Sequence, residues 1–191
     1  MVASVEGPAV LTVSRRSLVL VAGIPGAGKS TMLRGLRALA PDVRVLDSDP
    51  LRDRLGAVLP AGVPYRFYRP LVHLWHRLRI VATVFAVLGP VVVHLPATGA
   101  LTRCAIAVLA VAACRRRYLV WVDVDPACAR AGQLSRGRVL GQSCFDRHVR
   151  LGSAFSRRLR AGHRPRGWNR IAVLNRERIR HGLVLTSASV A

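Results

Sequence analysis

The sequence predicts an α/β fold: a parallel five-stranded sheet with helices on both faces. Three observations lead to it. Short apolar runs alternate along the chain with stretches of helical periodicity. The runs are continuously apolar rather than alternating, as strands buried on both faces must be. One strand, glycine loop and helix follow one another around Gly23-Ile24-Pro25-Gly26-Ala27-Gly28-Lys29-Ser30-Thr31, which fits G-x-x-x-x-G-K-[ST]. At 191 residues and 51% hydrophobic content the chain is long enough for one core and too apolar for disorder.

Residues 1–16 read as a lead-in, 17–180 as one domain and 181–191 as a tail. Ser17 to Ala22 is the first strand. Lys29 to Ala40 follows as a helix, with Met32, Leu33, Leu36, Leu39 and Ala40 on one face, and Pro41 stops it. Val43 to Asp47 is the second strand. Leu51, Leu55, Val58 and Leu59 then outline a short helix that Asp49-Pro50 opens, the proline at a first-turn position and Asp49 a candidate N-cap.

Pro60 to Pro70 reads as a loop in which Tyr65, Phe67 and Tyr68 interleave with Arg66 and Arg69. These rings either stack a base or tuck under the next helix. Leu71 to Leu88 is that helix, its apolar positions 71, 74, 75, 78, 81, 82, 85 and 88 forming the expected core face, with His73 and His76 on a solvated one. Gly89-Pro90 ends it. Residues 80–102 lack charge, but Gly89-Pro90, His94 and Pro96 divide them into a helix end, a strand at Val91 to Leu95 and a helix start. No membrane span is expected, and no membrane partner.

Leu101 to Cys114 forms a helix closed by Arg115, Arg116 and Arg117, read as solvated cations favourable at a helix C-terminus. Tyr118 to Val124 is the fourth strand, and Asp125-Pro126 opens another helix with Asp125 as its cap. A polar, arginine-bearing segment at about 130–150 precedes the fifth strand, Ile171 to Leu174.

The glycine loop carries the chemistry. Lys29 is the sole lysine in the chain, the other strong bases being arginine. A flexible stem with a compact ammonium follows β and γ phosphates where a planar guanidinium does so poorly. Gly23, Pro25, Gly26, Ala27 and Gly28 form the phosphate-binding loop, whose glycine and alanine main-chain N–H groups are presented to phosphate oxygens, Ser30 places its hydroxyl on Mg²⁺, and Thr31 lies near the α phosphate. The expected cofactors are ATP and Mg²⁺. Among nine acids, Asp47, Asp49 and Asp53 cluster after the second strand, on the ligand-bearing side of a parallel sheet. Asp47 is a candidate outer-shell metal acid. His94 stands where many such proteins place an acid, and Mg²⁺ then rests on Ser30, phosphate and water.

G-x-P-G-A-G-K-S-T followed by D-x-D-x-x-R at Asp47 to Arg52 resembles the polynucleotide-kinase and zeta-toxin branch of P-loop kinases, whose members are grouped with AAA-type ATP-binding proteins. The resemblance spans about residues 17–175. It implies that Asp49 is the general base toward an acceptor hydroxyl, that Arg52 holds the acceptor, and that Arg130, Arg136 and Arg138 sit on a lid over the phosphates. The expected activity is γ-phosphoryl transfer to a small molecule or nucleic-acid end. ATP hydrolysis without an acceptor, and a basic nucleic-acid-binding module switched by ATP, are the rivals.

A formal charge of +21 suits polyanionic partners such as nucleic acid, although arginine in place of lysine is also what GC-rich coding produces. Cys104, Cys114, Cys128 and Cys144 have no C-x-x-C spacing and are expected as reduced, mostly buried thiols, which fits the cytoplasm. Arg15-Arg16 before an apolar run has the look of an export signal, but cleavage there would remove the strand that feeds the loop.

Overall fold

In the computed structural model, which describes residues 7–187 apart from 41, 61, 62 and 138, the central sheet has strand order β3-β4-β2-β5-β6. These strands are β2 (Ser17–Gly23), β3 (Arg44–Leu46), β4 (Val91–His94), β5 (Arg116–Val122) and β6 (Arg170–Leu174). All four pairings are parallel. Alternation along each strand divides the core. Val19, Val21, Val92, Val120 and Val122 point to one face, Leu18, Leu20, Val91, Val93, Leu119 and Trp121 to the other.

On the first face lies α1 (Lys29–Leu39), seated by Met32, Leu33 and Leu36. Phe145 joins this face from α6 (Gln142–Arg160), whose first half falls in the polar segment expected at about 130–150; its arginines obscure an inward stripe of Phe145, Gly152, Phe155 and Leu159. The second face is covered by α3 (Tyr65–Ala86) through Ile80 and Val84, by α4 (Ala100–Ala112) through Ile106 and Ala110, and by Phe155 and Leu159 of α6.

Both segments expected as tails contain strands. β1 (Ala9–Val13) pairs in parallel with β7 (Leu183–Ser187), and Leu11, Val13 and Leu183 join the core on the outer side of α1. The five-residue helix α7 (Arg176–Arg180) between β6 and β7 adds Ile179 to that core.

Three other expectations need correction. The helix placed at 71–88 begins at Tyr65, after Pro64 in extended conformation, and contains Pro70, which forgoes one i→i−4 bond. Its buried residues are Val72, His76, Ile80 and Val84, so the more apolar stripe faces outward and His76 inward. Pattern reading assigns the stronger stripe to the core; here a face of two valines, one isoleucine and one histidine fits the sheet instead. The four thiols are free, but Cys104 and Cys114 are exposed and the other two half-buried.

The third correction concerns Arg115, which is only 4% exposed. Its guanidinium donates to the carbonyl oxygens of Ser17, Val84, Val87 and Gly89, tying the end of α3 to the start of β2. A fork of five N–H donors is what such a cluster of orphan carbonyls requires. Arg115→Ala is expected to destabilise the fold by about 3 kcal/mol in urea unfolding, with Arg115→Lys rescuing only part of it.

Candidate functional site

The site is built where β2, β3 and β4 end. All of β2 is buried, and its last residue opens the phosphate loop. A Cβ on Gly26 would lie 2.0 Å from the Ala129 carbonyl oxygen, and its φ of 92° is left-handed, so only glycine fits this close approach. Gly28, the N-cap of α1, also has positive φ, and Thr31 and Met32 donate their N–H groups to its carbonyl. The amides of Gly26, Gly28, Lys29 and Ser30 take no part in these turn bonds, and an anion in the cleft also meets the positive end of α1.

Lys29 folds back into this ring. Its Nζ donates to the Gly23 and Ile24 carbonyl oxygens at 2.8 Å each, and the side chain is buried. Burial first, and Arg136 second, lower its pKa to about 7 against the pull of Asp47 and Asp49. Between about pH 7 and the ordinary lysine value the unfolded chain therefore holds the extra proton, and unliganded stability rises with pH across that window. A triphosphate reverses the balance by favouring the ammonium. Binding above pH 7 is expected to take up a proton, and affinity to fall by up to about tenfold per pH unit. Calorimetry at pH 8 in buffers of different ionisation enthalpy reads that uptake directly.

The carboxylates arrive by sheet register. Leu46 pairs with Val93, so the next residues, Asp47 and His94, stand side by side at the strand ends. His94 Nδ1 and Asp47 Oδ1 are 2.8 Å apart, and Asp47 is 3% exposed. His94, standing where an acid is expected on β4, is thus paired with a carboxylate from the neighbouring strand. Asp47 Oδ1 also accepts the Asp49 N–H at 3.2 Å. His76 touches the same group from α3, its Nε2 3.3 Å from the His94 carbonyl, and burial lowers its pKa.

Asp49 begins α2 (Asp49–Val58), but the N-cap is Ser48. The Asp49 carboxylate instead accepts a hydrogen bond from Ser30 Oγ at 3.2 Å, crossing from α2 to the phosphate loop. Arg52, one turn further, lies 4.1 Å over the Tyr65 ring and lines the cleft with Arg69, His73 and His148. His148 Nδ1 is 2.8 Å from Thr98 Oγ1. Burial, followed by Lys29, Arg147 and Arg69, lowers its pKa. Arg103 braces this corner by donating to the Ala97 and Thr98 carbonyl oxygens at 2.7 Å each.

The arginines expected on the lid are divided. Arg136, just after α5 (Pro126–Leu134), lines the cleft beside Gly132 and donates to the Gly132 carbonyl. Arg130 does not line it. Its guanidinium binds the Leu140 carbonyl at 2.9 Å and Gln142 Oε1, and lies over the Phe145 ring. Two local acceptors and a ring claim it, so it holds the turn between α5 and α6. Arg138 falls outside the described residues. Gln133, which the sequence reading passed over, clasps the loop to this turn by donating to the Pro25 carbonyl and accepting from Leu140 N–H. Asp125 is a cap, accepting from the N–H groups of Ala127 and Cys128. Beyond the loop, Thr31 and Arg136 share a second recess with Arg176, Ile179 and Arg180.

Among the described residues no cluster of three or more His, Cys, Asp and Glu side chains is placed to hold a metal alone. The Ser30 hydroxyl, a hard oxygen at the start of α1, would suit Mg²⁺ together with phosphate and water. No helix among the described residues is long and apolar enough to cross a membrane.

Residues 18–160 match the family model described as AAA domain. Among solved structures, a chain of the PezAT chromosomal toxin–antitoxin system of Streptococcus pneumoniae superposes with a TM-score of 0.65 at 16% identity, over 91% of this chain and 73% of that one. A gluconokinase from Sinorhizobium meliloti gives 0.53 at 16% identity, over 88% of this chain and 90% of its own. No curated protein matches the sequence. At these identities the likeness is one of fold: a P-loop kinase-like α/β protein.

Proposed function

Because the chain belongs to the AAA domain family, matched over three quarters of its length, we propose that it is an ATP-dependent phosphotransferase acting on a hydroxyl acceptor. The observation that supports this reading most is the hydrogen bond from Ser30 Oγ to Asp49 Oδ2. It joins the loop that grips the donor to Asp49, the one acid among the described residues that lines the cleft between the loop and the Arg52–Tyr65 side. The amides of Gly26, Gly28, Lys29 and Ser30 hold the triphosphate, and Lys29 exchanges its two carbonyls for phosphate oxygens. Ser30, with Asp47 as an outer-shell acid, would hold Mg²⁺, which would neutralise charge on the phosphates.

In the step itself the acceptor oxygen bonds to the γ phosphorus, the bond from that phosphorus to the β–γ bridging oxygen breaks, and ADP leaves. Asp49 takes the acceptor's proton. Arg136 faces charge that develops on the transferring group, and Arg52 positions the acceptor. The other side of the cleft supports an acceptor subsite distinct from the donor's, which favours transfer over hydrolysis. Labelled-phosphate transfer from ATP to a panel of 5′-hydroxyl oligonucleotides, nucleosides, sugars and amino sugars tests it. Label on any member supports the reading, and phosphate release that ignores every member overturns it.

A further inference from the structure

α3 turns one apolar face inward and a second one outward. Val72, His76, Ile80 and Val84 are buried, whereas Leu74, Trp75, Leu78, Val81 and Phe85 are each between 44% and 56% exposed. α4 repeats the arrangement, with Leu101 88% and Val108 67% exposed. Because Ile80 and Val84 share one core cluster with Ile106 and Ala110, the two helices cover the same sheet face and their outer sides form one layer. Scattered exposed leucines need no explanation, but a two-helix apolar surface marks a binding face.

Charge selects the occupant. At 100° per residue, Arg77 and Arg79 fall on opposite flanks of the α3 stripe. None of the nine acids lies between residues 54 and 122, a stretch that includes all of α3, β4, α4 and β5. A second copy docked face to face would set arginine rims against each other with no acid to pair them. An anionic lipid surface complements every feature: apolar side chains enter the acyl boundary, Trp75 sits at headgroup level, and the arginine flanks reach lipid phosphates.

We propose that the outer face of α3 and α4 docks the protein flat on an anionic bilayer. The chain lies on the membrane without crossing it, and the nucleotide cleft at the strand ends stays in water. The test is co-sedimentation of the full chain with vesicles of phosphatidylcholine alone and of phosphatidylcholine mixed with phosphatidylserine. Binding is expected to the mixed vesicles and to be weak on the neutral ones. L74E/L78E is expected to lower the bound fraction at least about tenfold with an unchanged far-ultraviolet circular dichroism spectrum, and L101E/V108E to weaken binding as well. Brominated acyl chains should quench a tryptophan signal that W75F lacks, a readout that holds even if the glutamate variants fold poorly.

Absence of binding to mixed vesicles overturns the proposal. So does binding that L74E/L78E leaves unchanged, since net charge alone then explains it. A concentration-dependent dimer that L74E/L78E dissolves, without vesicle binding, assigns the face to a second copy.

Discussion

Replacing Lys29 with alanine is expected to erase the thermal stabilisation that ATP confers and to lower phosphoryl transfer by about 10²–10³-fold. In the wild type, nucleotide at a hundred times Kd adds about 2.7 kcal/mol, which for a chain of this length raises Tm by about 5–10 °C. The whole of that rise depends on the ring formed by Gly23, Ile24 and the Lys29 ammonium, because no other lysine exists to substitute for it. Lys29→Arg should not rescue. A planar fork larger than the ammonium has no room at a position that is 4% exposed. The unliganded melting curve is the control that separates lost binding from lost folding. A retained ATP shift in Lys29→Ala would place the nucleotide elsewhere, the recess of Arg176 and Arg180 being the first place to look.

The sheet and its central crossing were legible because the body of each strand is a short apolar run bounded by glycine, proline or a charge. The order Ser17 to Ala22, glycine loop, Lys29 helix needs only local information. What escaped the sequence depends on long-range pairing. β1 and β7 stabilise one another across the whole chain, and neither has a local signal that distinguishes it from a tail. The Asp47–His94 pair follows from the register of two strands separated by two helices, so the missing acid on β4 was readable as a gap but the carboxylate paired with His94 was not. His148 and Gln133 enter the site from the far side of a turn whose arginines drew attention to themselves. Arg130 and Arg115 show the same limit from the other side. A guanidinium in sequence announces charge, while its neighbours decide whether it meets a ligand or main-chain carbonyls.

Asp49→Asn is expected to leave nucleotide binding intact and to cut transfer to the acceptor by about 10²–10⁴-fold, the range a positioned general base supplies. Asparagine preserves the shape of the side chain, and with its carbonyl oxygen toward Ser30 it can still accept the hydroxyl bond that Asp49 Oδ2 accepts at 3.2 Å. What it cannot do is take a proton. The loss should therefore fall on kcat, with the ATP-induced shift in Tm close to wild type, which is the opposite of the Lys29→Ala pattern. Asp47→Asn provides the comparison, since it disturbs both the His94 contact and the Asp49 N–H bond and is expected to lower stability together with activity. If Asp49→Asn transfers at the wild-type rate while Asp47→Asn does not, the proton leaves through the Asp47–His94 pair instead, and Asp49 serves only to hold Ser30 at the edge of the phosphate loop.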